Sequence, residues 1–251
     1  MNINAYLKRI NYTGSLEPTA TTLRDLHVAH LRSVPFENLS IHSGEPIVLE
    51  DEALFKKIVE NKRGGFCYEL NGLFAALLRE LGFSVSKLAA GVTNRRGGFG
   101  PRFDHMTLMV TLNERWLADV GFGDSFVEPL LLDERGVQSQ AAGDFQIISD
   151  TSDLILMRRK PGEDWGPEYR FDLEPHEYGD YQEMCHFHET SPESHFTRAR
   201  LCSRITDHGR ITLSGLQFIT TSANGLREER RLTSQEEFDS LLRDQFGIVL
   251  K

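Results

Sequence analysis

The chain has 251 residues, 39% apolar and 26% charged, with a formal charge of −9: enough for one large domain or a few small ones around a sizeable core, and too acidic to suggest a nucleic-acid surface. No apolar run reaches the roughly 18 residues of a membrane span, and the first residues lack the basic-then-apolar order of a secretory signal. Three cysteines, an odd and sparse number, fit a reducing cytoplasm better than a disulfide framework.

Leu23, Leu26, His27, His30 and Leu31 form a partly apolar stripe that begins near Thr21 or Thr22 and stops at Pro35. Leu54, Phe55, Ile58 and Val59 predict a short helix after Asp51, its expected cap. The segment Arg63-Gly64-Gly65-Phe66-Cys67-Tyr68-Glu69-Leu70-Asn71-Gly72-Leu73-Phe74 opens the next one. Leu70, Leu73, Phe74, Leu77, Leu78 and Leu81 recur at helical spacing, and Gly82 marks the stop. Gly64 and Gly65 read as a sharp turn before the helix. Cys67 then lies in the first turn, beside unpaired N–H groups and the positive end of the dipole, a setting that favours thiolate over thiol.

From Phe83 the period changes. Val85, Leu88 and Val92, then 105–112, 116–120, 145–148 and 154–157, read as short strands between turn residues, an antiparallel sheet or barrel. Residues 175–189 predict a connecting helix with Tyr178, Tyr181, Met184, Cys185 and His188 on one side. Further strands fall near Ile205, 211–213 and 218–220. Ser234 and Glu237 make a capping-box pattern ahead of the stripe Phe238, Leu241, Leu242 and Phe246.

A thiol nucleophile needs a base and a group that orients the base. Nine histidines compete for the first role. His105 opens an apolar strand, Asp119 ends the next strand-like run, and the turn at Asn113-Glu114 between them predicts a hairpin that brings both to one end. Asn71, one helical turn after Cys67, either supports the site or caps the core. Glu37 and Arg63 read as a buried ion pair bracing the loop before Cys67. Gly97 and Gly98 lie in a basic, glycine-rich loop, 94–102, whose N–H groups and arginines suit phosphate, although no Walker sequence follows. Cys185, His186 and His188 lack the second ligand pair of a zinc site and read as packing, so no metal is expected. Cys202 reads as a small buried residue.

The block 63–74, the strand at His105, and Asp119-Val120-Gly121-Phe122-Gly123 together resemble the three signature segments of the arylamine N-acetyltransferase family. Pro35-Phe36-Glu37-Asn38-Leu39 resembles its N-terminal motif, and residues 184–196 its later segment. The resemblance implies an α+β fold: an N-terminal helical bundle carrying the nucleophile (1–83), a central antiparallel β-barrel with a connecting helix (84–190), and a C-terminal α/β lid (191–251), with a papain/transglutaminase-like catalytic core. It implies Cys67 as acyl-accepting nucleophile, His105 as its base and Asp119 as the orienting acid. Acetyl-CoA is then the acyl-donor substrate, with no metal or prosthetic group, and small aromatic amines, hydrazines or N-hydroxyarylamines are the acceptors. Gly97, Gly98 and Gly123 become the expected CoA contacts. Phe36 and Phe122 are expected either to touch the aromatic acceptor or simply to pack.

Three other readings stand beside this one. An amide synthase, releasing an acyl chain from a carrier protein by macrolactam formation, would use the same Cys67, His105 and Asp119. A non-catalytic binding module would have no need of an activated thiol. A peptidase would need a groove for extended peptide, of which the sequence gives no sign.

Overall fold

The computed structural model describes residues 1–94 and 97–250. The chain opens with α1 (Ile3–Arg9) and α2 (Ala20–Ser33). Thr19, not Thr21 or Thr22, caps α2, its side chain accepting from the Thr22 N–H. The short β1 (Phe36–Glu37) and α3 (Leu39–Ser43) lead to α4 (Asp51–Phe55), which runs on into a π-turn, Lys56–Glu60. Glu50 occupies the cap position of α4, and Asp51 instead accepts from the Tyr178 hydroxyl at 2.8 Å. Next comes α5 (Cys67–Glu80), on which Leu70, Leu73, Phe74, Leu77 and Leu78 are all fully buried. Each such side chain contributes roughly 1.5–3 kcal/mol of burial free energy, so the helix is held by its stripe rather than by propensity.

The strands that follow are β2 (Ser84–Val92), β3 (His105–Thr111), β4 (Arg115–Ala118), β5 (Leu130–Leu131), β6 (Gln138–Gln140), β7 (Gly143–Asp150), β8 (Asp153–Arg159) and β9 (Gly166–His176). They form an eight-stranded antiparallel sheet in the order β5-β4-β3-β2-β9-β8-β7-β6, curled into a nearly closed barrel. Its interior holds Leu88, Leu117, Phe126, Phe145, Ile147, Leu156 and Tyr169. The outer strands β5 and β6 do not ladder with each other. The Gln138 side chain instead accepts from the Leu131 N–H at 2.8 Å and donates to the Leu131 carbonyl at 2.9 Å. Gln140 likewise accepts from the N–H groups of Val127 and Glu128 and donates to the Glu128 carbonyl. Two side-chain amides thus stand in for a strand pairing along this seam.

The connecting helix α6 (Tyr178–Thr190) starts later than the sequence predicts, because Pro175 and His176 still belong to β9. The chain ends in β10 (Leu201–Thr206), β11 (Gly209–Ser214), β12 (Gln217–Ser222), β13 (Arg227–Arg231) and α7 (Gln235–Phe246). Ser234 caps α7, accepting from the Glu237 N–H, whereas the Glu237 carboxylate turns back to Thr233 rather than to Ser234. A five-stranded sheet, β1-β10-β11-β12-β13, builds the lid, with Phe238, Leu242 and Phe246 of α7 packed on Cys202 and Leu213. One large apolar cluster joins α1, α2 and α5 to β3 and α6, so the helices and the barrel share a core.

Candidate active site

The loop before α5 is drawn against β1. Glu37 N–H donates to the Gly65 carbonyl at 2.8 Å. A Cβ on Gly64 would lie 2.0 Å from the Pro35 carbonyl oxygen. Close approach, rather than the sharp turn read from the sequence, is what excludes a side chain there, since neither Gly64 nor Gly65 adopts positive φ. Glu37, fully buried, receives Arg63 Nε at 2.9 Å and the Leu39 N–H at 2.6 Å. Burial alone would raise its carboxyl pKa, but Lys57, Arg63 and these donors hold it below the usual range. Glu69 caps the helix by accepting from the Phe66 N–H at 3.2 Å, and Lys57 pairs with it at 2.6 Å.

Cys67 is the first residue of α5 and only 3% exposed. Burial pushes its thiol well above the ordinary value, and the carboxylates of Asp104 and Asp119 act in the same direction against the opposing Met106 N–H. Burial thus works against the thiolate that a place in the first helical turn favours. A thiolate beside an imidazolium escapes much of that penalty, because the pair is neutral overall.

Asn71 fastens α5 to the barrel. Its amide nitrogen donates to the Met106 carbonyl at 2.6 Å and to Asp119 Oδ1 at 2.9 Å, and its oxygen accepts from the Val120 N–H at 2.9 Å. The β3–β4 hairpin sets His105 at its opening residue and Asp119 just beyond its last, and His105 Nε2 lies 2.7 Å from Asp119 Oδ2. Asp119 Oδ1 also accepts from the Gly121 N–H at 2.9 Å. Burial would raise the Asp119 pKa, but His105, Asn71 and Gly121 together bring it below the ordinary value. The carboxylate is therefore ionised, His105 Nε2 carries the proton it donates, and Nδ1 is left free to act as a base.

Three contributors were not singled out from the sequence. A Cβ on Gly121 would sit 2.8 Å from Cys67 Cα, so this glycine lets the loop after β4 close on Cys67. Tyr169, fully buried, packs 5.3 Å from the His105 ring and aims its hydroxyl at Thr107 and Asp119. His27 accepts from the Asp119 N–H at 3.0 Å. Only Gly121, inside the 119–123 motif, left a sequence signal.

Phe122 sets its ring edge-on to His105, with centroids 5.2 Å apart. Phe36 lies beside Gly123, whose φ of +93° suits glycine. The Gly97 N–H is taken by the Asn94 carbonyl at 3.1 Å, and the Gly98 N–H by Asn94 Oδ1 at 3.3 Å. Arg95 and Arg96 of that loop lie outside the described residues. His186 is exposed while Cys185 and His188 face the core. Among the described residues, Asp172, Glu174 and His176 could together hold a metal ion, but the Arg102 guanidinium stands there, bonded to Asp172 at 2.9 Å and to Glu174 at 2.6 Å.

A family model described as N-acetyltransferase matches residues 19–251. The arylamine N-acetyltransferase of Escherichia coli is 33% identical over 98% of this chain and 88% of its own length. The structure of the Mycobacterium marinum arylamine N-acetyltransferase in complex with CoA superposes with a TM-score of 0.91 at 33% identity, covering 98% of this chain and 93% of that one. Proansamycin X synthase of Amycolatopsis mediterranei is 30% identical over 96% of this chain and 95% of its own length.

Proposed function

The chain belongs to the arylamine N-acetyltransferase family, and from that premise we propose that Cys67, His105 and Asp119 form the catalytic triad of an acetyl-CoA-dependent transferase. The observation that carries the assignment is the 2.7 Å contact between His105 Nε2 and Asp119 Oδ2, tied by Asn71 to the helix that Cys67 begins. In the first half-reaction the Cys67 proton passes to His105 Nδ1, and the thiolate attacks the thioester carbonyl of acetyl-CoA. The C–S bond to CoA breaks, and the leaving CoA thiolate takes the proton from the imidazolium. In the second, the nitrogen of an arylamine or arylhydrazine, or the oxygen of an N-hydroxyarylamine, attacks the acetyl-Cys67 carbonyl. Cys67 leaves as thiolate and His105 accepts the acceptor's proton. An arylamine suits the site because it is unprotonated near pH 7.

Phe122 is the proposed contact for an aromatic acceptor, supported by its edge-on packing against His105, with Phe36 flanking it across Gly123. Gly97, Gly98 and Gly123 are the proposed CoA contacts. At Gly97 and Gly98 the contact would rely on the missing side chains, since their N–H groups are engaged within the loop. Glu37, Arg63 and Asn71 support the loop and the helix. On this reading segment 1–83 supplies the nucleophile, 84–190 the base and the acid, and 191–251 the lid, although β1 of the first segment pairs into the lid sheet. Three free, buried cysteines favour a cytoplasmic setting, and among the described residues no helix is long and apolar enough to cross a membrane.

Incubation with acetyl-CoA and no amine is expected to add one acetyl group to the Cys67 peptide, read by mass spectrometry, and Cys67→Ala is expected to abolish both adduct and turnover in a folded protein. An unmodified Cys67, or turnover in the alanine variant, rejects the triad. The likeness to proansamycin X synthase keeps one second reading, an amide synthase acting on a carrier-bound acyl chain. Faster acylation of Cys67 by long-chain acyl thioesters than by acetyl-CoA would favour it.

A further inference from the structure

We propose that His27 is a positioning residue of the acyl-transfer site, anchoring the main chain of Asp119 and through it the aim of the carboxylate at His105. The inference rests on Asp119 being the orienting member of the triad proposed above.

His27 lies in the middle of α2, remote in sequence from the hairpin it touches, and is fully buried. Its Nε2 faces the Asp119 N–H at 3.0 Å, and its Nδ1 faces the Val127 carbonyl at 2.8 Å. An N–H can only donate and a carbonyl can only accept. The ring is thereby confined to one state: neutral, with the proton on Nδ1 and a bare lone pair on Nε2. Burial supports that state, pulling the pKa down to about 4 against the opposing hydrogen bonds and the Asp119 charge. The ring stacks on Phe126 with an interplanar angle of 12° and meets Phe74 edge-on, so it has little room to turn. Val127 is itself fixed, its N–H donating to Gln140 at the barrel seam.

The consequence for Asp119 is geometric. Its side chain is held by His105, Asn71 and Gly121, whereas its own N–H has His27 as its hydrogen-bond acceptor. Without that acceptor a buried N–H is left unsatisfied, and the backbone from which the carboxylate is aimed is free to tilt away from His105. Side chains that touch no reacting atom commonly act in this way, through the orientation of one that does.

The test compares the parent with His27→Gln, His27→Asn and Asp119→Asn. Glutamine reaches the Nε2 position with its amide oxygen and keeps the acceptor for Asp119. Asparagine reaches only the Nδ1 position and keeps the donor for Val127. The readouts are kcat and KM for acetylation of an arylhydrazine by acetyl-CoA, and the pH profile of Cys67 alkylation by iodoacetamide. His27→Asn is expected to lower kcat by about tenfold or more, with KM for acetyl-CoA little changed. Its alkylation near neutral pH should also slow, with the half-maximal point moved to higher pH, because the imidazolium that partners the thiolate is less well held. His27→Gln is expected to stay within about threefold of the parent.

If Asp119→Asn is crippled while His27→Asn matches the parent, the positioning role is overturned and the triad stands. If Asp119→Asn itself matches the parent, the triad reading is what fails. The 15N shifts of the His27 ring in the folded parent give a check that needs no variant to fold: a proton on Nδ1 supports the proposal, and a proton on Nε2 overturns it.

Discussion

Asp119 shows how much a single residue owes to its surroundings. Its carboxylate is divided between His105 on one oxygen and Asn71 with Gly121 on the other, and its N–H is spent on His27. The histidine has a cost that shows in stability. In the unfolded chain it binds a proton near pH 6.5, whereas in the folded protein burial delays this to about 4. Between those values the unfolded state holds the extra proton, so stability falls with falling pH by up to about 3 kcal/mol from this group. Asp119 acts at lower pH: its depressed pKa stabilises the fold above the ordinary carboxylate value and ceases to do so as pH drops through the folded value. His27→Gln is therefore expected to remove the His27 part of the pH dependence of the urea-unfolding free energy between pH 6.5 and 4, leaving the part from His30, whose pKa burial also lowers, and an opposite part from Glu168, whose pKa burial raises to about 7. An unchanged slope would mean that His27 is not held neutral.

At the scale of elements, the decisive joint is α5 against the β3–β4 hairpin and β1. Its parts differ in how legible they are. The buried stripe of α5 and the turn at Asn113-Glu114 are periodic, local signals, and they mark the helix and the hairpin directly. The nearness of His105 to Asp119 follows from the hairpin alone. What stays hidden are contacts made across the fold: His27 from α2, Tyr169 from β9, and the carbonyl of Pro35 pressed on Gly64. Nothing in the local pattern tells a core histidine from one that holds a backbone N–H. β13 was equally hidden, because every residue of Arg227–Arg231 is exposed and no apolar alternation marks it; its charges suit a sheet edge. The joint predicts a sharp response to Gly121→Ala. The new methyl would lie 2.8 Å from Cys67 Cα and 2.7 Å from the Asn71 amide, and backbone cannot yield as a flexible side chain does. A stability loss of about 1–3 kcal/mol is expected, with a larger relative fall in Cys67 acylation rate, measured by quenched-flow mass spectrometry. Acylation at the parent rate would show that the loop and Cys67 are not in register.

For the whole molecule, the barrel and the lid are closed by different means. The lid sheet recruits β1 by a main-chain ladder, whereas β5 and β6 meet through the side chains of Gln138 and Gln140. Gln140→Leu keeps the bulk but strands the N–H groups of Val127 and Glu128. A loss of about 1–3 kcal/mol is expected, together with faster hydrogen exchange confined to residues 126–131; protection equal to the parent there would show that the seam does not depend on the glutamine. The fold also buries the proposed reactive centre, with Cys67 and His105 each only 3% exposed. An acetyl group parked on that sulfur would be screened from bulk solvent on nearly every side. On the proposed mechanism its spontaneous hydrolysis is expected to be slow beside its capture by an amine, so the loaded protein should outlast removal of acetyl-CoA and discharge when an acceptor is added.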